Sequence, residues 1–201
     1  MKVIGITGGV GAGKTAILSY IREQYNCRII LADEAAHRVK EPGQVCYDRL
    51  VALLSDEILN EDGTIHKQKM SNIIFDSPGL LKEVNAIIHP AVKEFILTAI
   101  EEERKKLRHD FLFIEAALLI EDGYLEIVDE MWYIYAREEV RRRRLRESRG
   151  YSDEKINAIM TKQLSEEEFR KHCKVVIDNS DSLKKAYEQI DRKLGDYLWQ
   201  K

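Results

Sequence analysis

The sequence predicts an α/β fold: a five-stranded, mainly parallel sheet with helices on both of its faces. Three observations lead there. Five short runs rich in β-branched and aromatic residues recur along the chain, each nearly continuous in apolar character, as strands buried on both faces require. Helical patterns separate these runs, and helical crossovers are what parallel strands need. The first run feeds a glycine-rich turn that leads directly into a helical pattern.

Taken in order, the strands are residues 2–6, Cys27–Leu31 (CRIIL), Phe111–Glu115 (FLFIE), 131–135 (MWYIY) and 174–177 (KVVI). The last is closed by Asp178 and Asn179, a turn signal. A helix is expected over 14–25. The long interval 34–110 carries no strand of this kind and reads as helices. Pro42 with Gly43 and Asp62 with Gly63 break it, and Ser77 before Pro78 reads as an N-cap with proline at the first helical position. His89 and Pro90 read as a further boundary, after which Val92, Phe95, Ile96, Ala99, Ile100 and Leu107 share one helical face. This interval is too long for a simple crossover and predicts a helical insertion that recognises a substrate. A second helical region, 137–170, is interrupted around Gly150, Tyr151 and Ser152 and opens with the basic segment EEVRRRRLRESRG. Residues 181–199 close the chain as an amphipathic helix with Leu183, Ala186, Tyr187, Ile190, Leu194 and Leu198 on one side.

At 201 residues, 44% hydrophobic and 33% charged, the chain has the composition of an ordinary globular protein with room for a core. Its 32 basic and 35 acidic residues leave a net charge of −3. That balance argues against a nucleic-acid partner, which calls for a basic excess. Cys27, Cys46 and Cys173 are widely spaced and form no C-x-x-C pair, the pattern of thiols in a reducing compartment. The apolar start at 3–6 is far shorter than a signal-peptide core, and no stretch approaches a membrane span. A cytoplasmic protein without a membrane partner is expected, as a monomer or weak homo-oligomer.

The decisive motif is Gly8-Gly9-Val10-Gly11-Ala12-Gly13-Lys14-Thr15, which fits the phosphate-binding pattern G-x-x-x-x-G-K-[ST] without a mismatch. Glycines let the backbone wrap a phosphate and aim successive N–H groups inward. The helix that follows adds the positive end of its dipole. Lys14 would reach the β- and γ-phosphates of ATP, and the Thr15 hydroxyl would be a ligand of Mg²⁺. Ala16 follows in the first turn.

A GTPase would need Asn-Lys-x-Asp, yet no asparagine here precedes a lysine. The only Asp-x-x-Gly considered for that role, Asp76 to Gly79, falls within the insertion. Motor and transporter ATPases need an acidic pair closing a strand, and FLFIE offers only Glu115. A small kinase fits best. Asp33, just beyond the second strand, can accept the proton of an attacking hydroxyl or orient it; it can equally cap the next helix. The run Arg141, Arg142, Arg143, Arg144, with Arg146 and Arg149, can supply a cation to the transferred phosphoryl group. Most of these arginines can instead pair with Glu138, Glu139 and Glu147 on a solvated helix. Asn179 stands where a purine ring would lie, and is also a good turn residue.

These residues together resemble the dephospho-coenzyme A kinase family over essentially the full length. The resemblance rests on the order and spacing of ITGGVGAGKT, LADEAAHRVKEPG, EDGTIHKQKM followed by IIF, IIHPAV, ALLIE, the arginine-rich helix, Gln163 and VIDNS. It implies a three-layer P-loop kinase fold with a nucleotide-binding core (1–33, 110–136 and 171–201), a helical coenzyme A-binding insertion (34–109) and a helical lid (137–170). It implies transfer from ATP to the ribose 3′-hydroxyl of 3′-dephospho-coenzyme A. Asp33 matches the family's general base, Arg144 its lid arginine, and Asn179 the asparagine near adenine. Arg141, at the position of the family's glutamine, joins the nucleotide-binding set. Lys67, His89, Leu118, Glu121 and Arg149, with Asp33, are implied on the substrate side; a backbone-satisfied histidine at a helix boundary remains the other reading of His89. The chain departs from the family pattern at Leu31 (aspartate), Ala117 (proline), Arg141 (glutamine), Ser148 (arginine) and Lys67 (arginine). Lysine cannot make arginine's bidentate grip on a phosphate. Two other readings follow from the residues: a kinase of this architecture with a different small acceptor, such as a nucleoside monophosphate, and a nucleotide-binding protein without activity.

Overall fold

A computed structural model describes residues 1–75 and 77–199. Asp76, considered above in an Asp-x-x-Gly pattern, lies outside the described residues, as do Gln200 and Lys201. The chain divides into two compact units, residues 1–29 with 107–201, and residues 30–106.

Five strands form one sheet: β1 (Lys2–Thr7), β2 (Cys27–Leu31), β3 (Phe111–Glu115), β4 (Glu130–Tyr135) and β5 (Val175–Asp178), in the order β2-β3-β1-β4-β5. β1 pairs in parallel with β3 (Ile4 opposite Phe113) and with β4 (Ile6 opposite Trp132), and β4 pairs in parallel with β5 (Ile134 opposite Ile177). Val3, Ile4, Leu112, Phe113, Ile114, Trp132 and Ile134 are fully buried. Side chains that point alternately to the two faces are therefore covered on both, which is why these strands read as continuous apolar runs.

Among the described residues nine α-helices connect the strands: α1 (Lys14–Gln24), α2 (Ala32–Arg38), α3 (Tyr47–Leu54), α4 (Lys67–Phe75), α5 (Pro78–Lys106), α6 (Glu138–Arg149), α7 (Asp153–Met160), α8 (Glu166–His172) and α9 (Leu183–Trp199). In the first unit α1 buries Ile17 and Ile21, and α9 buries Ala186, Ile190 and Leu194. Each of these isoleucine and leucine side chains contributes about 1.5–3 kcal/mol relative to exposure. Leu183 and Leu198, at the two ends of the predicted α9 face, are 41% exposed. No helix of the described residues is long and apolar enough to cross a membrane.

The second unit is built around α5, whose buried face runs from Val84 through Ile88, Val92 and Ile96 to Ile100. Ser77 caps it, its hydroxyl accepting from Leu80 N at 3.4 Å, and Pro78 is its first residue. The boundary expected at His89 and Pro90 is not there, because Pro90 lies inside α5. A proline removes one helical hydrogen bond and costs about 3 kcal/mol. The apolar burial of Ile87, Ile88, Val92 and Ile96 on either side of it offsets that cost. Two smaller differences concern the ends of helices. α2 begins at Ala32, so Asp33 lies in its first turn; the N-cap is Leu31 and no side chain caps it. The basic region contains a second break, closed by Ser165, whose hydroxyl accepts from Glu168 N.

Candidate active site

β1 delivers the chain into the loop 8–13, and α1 leaves it. Gly13 is the N-cap of α1 in a left-handed conformation (φ 93°), and no side chain caps the helix. The first N–H groups of a helix have no partner within it, and those of α1 follow directly on the glycine loop. A Cβ on Gly13 would stand 2.4 Å from Asn179 Nδ2, which together with the positive φ explains why glycine is needed there. Lys14 Nζ donates to Gly8 O at 2.7 Å and lies 3.6 Å from Glu115 Oε1 at the end of β3. The Thr15 side chain is exposed in the first turn of α1.

α6 lays two arginines on this loop. Arg141 Nε donates to Val10 O at 2.9 Å and its Nη2 to Gln163 Oε1 at 2.9 Å; the same Gln163 oxygen accepts from Val10 N at 3.1 Å. Arg144 donates to Ala12 O at 3.3 Å and to Asn179 O at 2.8 Å. Asn179 is buried and donates from Nδ2 to Ala12 O at 2.8 Å, while its Oδ1 has no partner among the described residues. Partial burial holds both guanidinium groups below their ordinary pKa; Arg143 adds to the effect at Arg144. Neither arginine makes an ion pair among the described residues. Two half-desolvated cations held only by carbonyl groups leave positive charge uncompensated over the loop, an arrangement that favours an anion there.

The remaining arginines divide as a solvated helix would have them. Arg142 pairs with Glu138 at 2.7 Å and Arg146 with Asp153 at 2.5 Å. Arg149 is exposed and packs 5.9 Å over the Tyr151 ring, away from the Arg141–Gln163 clasp. Leu118 and Glu121 are exposed on the turn after β3, around a buried Leu119. Ala16 sits in the first turn of α1. In the second unit Asp33 is exposed in the first turn of α2, Lys67 is the first residue of α4, and His89 is half-buried within α5. Gln163 entered the sequence reading only as part of a resemblance; its bridge between Val10 and Arg141 is a tertiary fact with no local signal.

Among the described residues no three His, Cys, Asp or Glu side chains gather where they could hold a metal. The exposed Thr15 hydroxyl nevertheless suits Mg²⁺, which binds mainly through substrate phosphates, water and one or two protein oxygens, while the helix N–H groups beside it suit those phosphates.

A parallel sheet whose first strand runs into a G-x-x-x-x-G-K-T loop clasped by arginines defines a P-loop phosphotransferase. A model of the dephospho-CoA kinase family matches residues 2–185. A dephospho-CoA kinase of Dehalococcoides mccartyi is 37% identical over 180 residues, covering 90% of this chain and 89% of its own. A crystal structure from Thermus thermophilus superposes with a TM-score of 0.78 at 28% identity, covering 97% of each chain. The dephospho-CoA kinase of Campylobacter jejuni, at 21% identity, shares the fold with a TM-score of 0.74 over 98% of this chain and 97% of its own. The chain belongs to the dephospho-CoA kinase family.

Proposed function

We propose that this chain transfers the γ-phosphoryl group of ATP to the ribose 3′-hydroxyl of 3′-dephospho-coenzyme A, giving ADP and coenzyme A, the last step of coenzyme A synthesis. The observation that carries this reading is the meeting of Lys14, Arg141 and Arg144 on a glycine loop with an open helix N-terminus. Family membership narrows the acceptor.

In this mechanism the N–H groups of residues 9–15 and Lys14 hold the β- and γ-phosphates, and Lys14 exchanges Gly8 O and Glu115 for phosphate oxygens. Arg144 and Arg141 offset the charge that spreads over the phosphoryl oxygens during transfer. Asn179 contributes by fixing Ala12 and Arg144 beneath the nucleotide. Asp33 takes the proton of the 3′-hydroxyl. As that O–H bond breaks, the oxygen bonds to the γ-phosphorus, and the bond to the bridging oxygen breaks with its electron pair remaining on ADP. Mg²⁺, bound by the ATP phosphates and the Thr15 hydroxyl, would neutralise charge on the β- and γ-oxygens. Lys67, His89, Leu118, Glu121 and Arg149 are assigned to the acceptor side. A cytoplasmic location, supported by three free thiols of which two are buried, and a monomeric or weakly homo-oligomeric state complete the proposal.

An acceptor panel tests this reading. ADP release from Mg²⁺–ATP should rise with dephospho-coenzyme A and not with nucleoside monophosphates or shikimate. Stimulation by one of the others alone would replace the acceptor, and nucleotide binding without turnover on any would leave a binding protein.

A further inference from the structure

Gln163 lies in the short turn between α7 and α8, and both helices hold that turn in place. Its own N donates to Met160 O at 3.2 Å, and two residues later Ser165 caps α8. α7 is anchored by the fully buried Ile156, and α8 by Phe169, whose ring stacks on Tyr133 at 4.6 Å. The Gln163 side chain therefore leaves a fixed backbone. Its Oε1 accepts from Val10 N at 3.1 Å and from Arg141 Nη2 at 2.9 Å, while Arg141 Nε donates to Val10 O at 2.9 Å. Three residues thus close a ring that uses both backbone polar groups of Val10. Both partners of the Gln163 amide are donors, so its oxygen must face them.

This ring sets where the Arg141 charge points. A guanidinium is a flat, rigid fork, so bonds at both Nε and Nη2 fix its plane. That plane lies against Gly9, where a Cβ would collide with the guanidinium carbon and both terminal nitrogens. Gly11 plays the same part further along, since a Cβ there would stand 2.9 Å from Arg141 O and 3.2 Å from Leu145 Cγ. Glycine at these two positions is what lets α6 dock on the loop.

Charge explains why the acceptor is an amide. Glu138, the carboxylate whose charge acts on Arg141, is already bound to Arg142 at 2.7 Å. A carboxylate at 163 would accept the same two bonds but neutralise the cation it orients. Arg141 is also a position where this chain departs from the family pattern, so the ring is built on a residue that pattern does not supply.

We propose that Gln163 is a positioning residue for phosphoryl transfer: as a neutral acceptor it fixes Arg141 and the Val10 N–H as one unit and leaves the arginine's charge for the phosphates of ATP. The inference rests on the phosphotransferase reading given above.

The test is a double-mutant cycle on the full chain, with Gln163→Met and Arg141→Met made singly and together, and Gln163→Glu beside them. With both substrates saturating, Gln163→Met should lower kcat by about tenfold or more, the effect of losing a hydrogen bond to a charged group, and leave the KM for dephospho-coenzyme A in place. In the Arg141→Met background the same change should cost less than about twofold, because residues that act through one another are not additive. Gln163→Glu should melt at or above the unaltered protein, since both acceptor bonds survive, yet bind Mg²⁺–ATP more weakly. Unchanged kcat in folded Gln163→Met overturns the role, and so does an equal loss in both backgrounds, which is what a merely structural contact predicts. Unaltered ATP affinity in Gln163→Glu overturns it too, because the neutrality of the acceptor would then be without effect. If the unaltered chain turns over no acceptor, the reaction proposed above fails by itself, and calorimetric Kd values for Mg²⁺–ATP across the same cycle decide the positioning role: coupled losses support it and additive losses overturn it. Should Gln163→Met fail to fold, Gln163→Asn, whose shorter amide cannot reach both donors, takes its place in the cycle.

Discussion

At the glycine loop one lysine and two arginines converge on six consecutive residues, whereas the helical unit offers single side chains from separate helices and turns. Asp33 stands in the first turn of α2 and Lys67 at the start of α4. The role proposed for the loop depends on backbone conformation, so changing one residue type disturbs the geometry itself. The roles proposed for the helical unit depend on exposed or half-buried charges, and changing one should alter chemistry while leaving the fold intact. The two regions should therefore fail differently.

The largest effect is expected for Lys14→Ala, with kcat/KM for ATP falling roughly 10²–10³-fold or more, as for loss of a transition-state donor. Steady-state kinetics beside a thermal melt would check it, and wild-type kinetics in this variant would break the loop assignment. Asp33→Asn comes next. Turnover should fall about 10²–10⁴-fold, the range of general-base catalysis, while KM for ATP and the melting temperature barely move, because Asp33 is exposed and caps nothing. Full turnover in Asp33→Asn would remove the base from the mechanism.

Gly13→Ala sharpens the contrast by striking conformation alone. A left-handed alanine costs about 1–2 kcal/mol, and its Cβ would collide with the Asn179 amide at 2.4 Å. For a chain of this size the melting temperature should drop by about 2–8 °C, together with a loss of ATP binding. An unaltered melt would show that the loop is less constrained than its geometry implies.

The differing legibility of the two regions has the same origin. The P-loop could be read because backbone wrapping demands particular residue types at fixed local spacing, and the central strands β1, β3 and β4 because burial on both faces keeps polar residues out of their middles. Pro90 was misread as a boundary: local rules count the missing hydrogen bond but not the buried isoleucines that hold α5 together. Arg141 and Arg144 could be singled out as a pair three apart on a helix, but not their seating on the loop by Gln163 and Asn179, which lie 22 and 35 positions away.

The smallest expected effect lies away from both sites, at Glu130. Burial alone would push its carboxyl up, but donation from Tyr197 and Trp132 and the charges of Lys193 and Lys2 bring it below the ordinary glutamate range. A depressed folded-state value means stability that is present above the unfolded pKa of about 4.3 and lost as pH falls through the folded one. Glu130→Gln should therefore melt about 1–3 °C lower at pH 7, with the gap to wild type narrowing below about pH 4. A gap that stays constant to pH 3 would assign the difference to packing.

The most direct measurement is of the product itself. Purified protein with Mg²⁺–ATP and dephospho-coenzyme A should yield one ADP for each new molecule bearing an added phosphoryl mass, with the phosphorus resonance of a ribose 3′-phosphomonoester. ADP formed without that product, or a phosphate placed elsewhere on the acceptor, would contradict the reaction assigned to this chain.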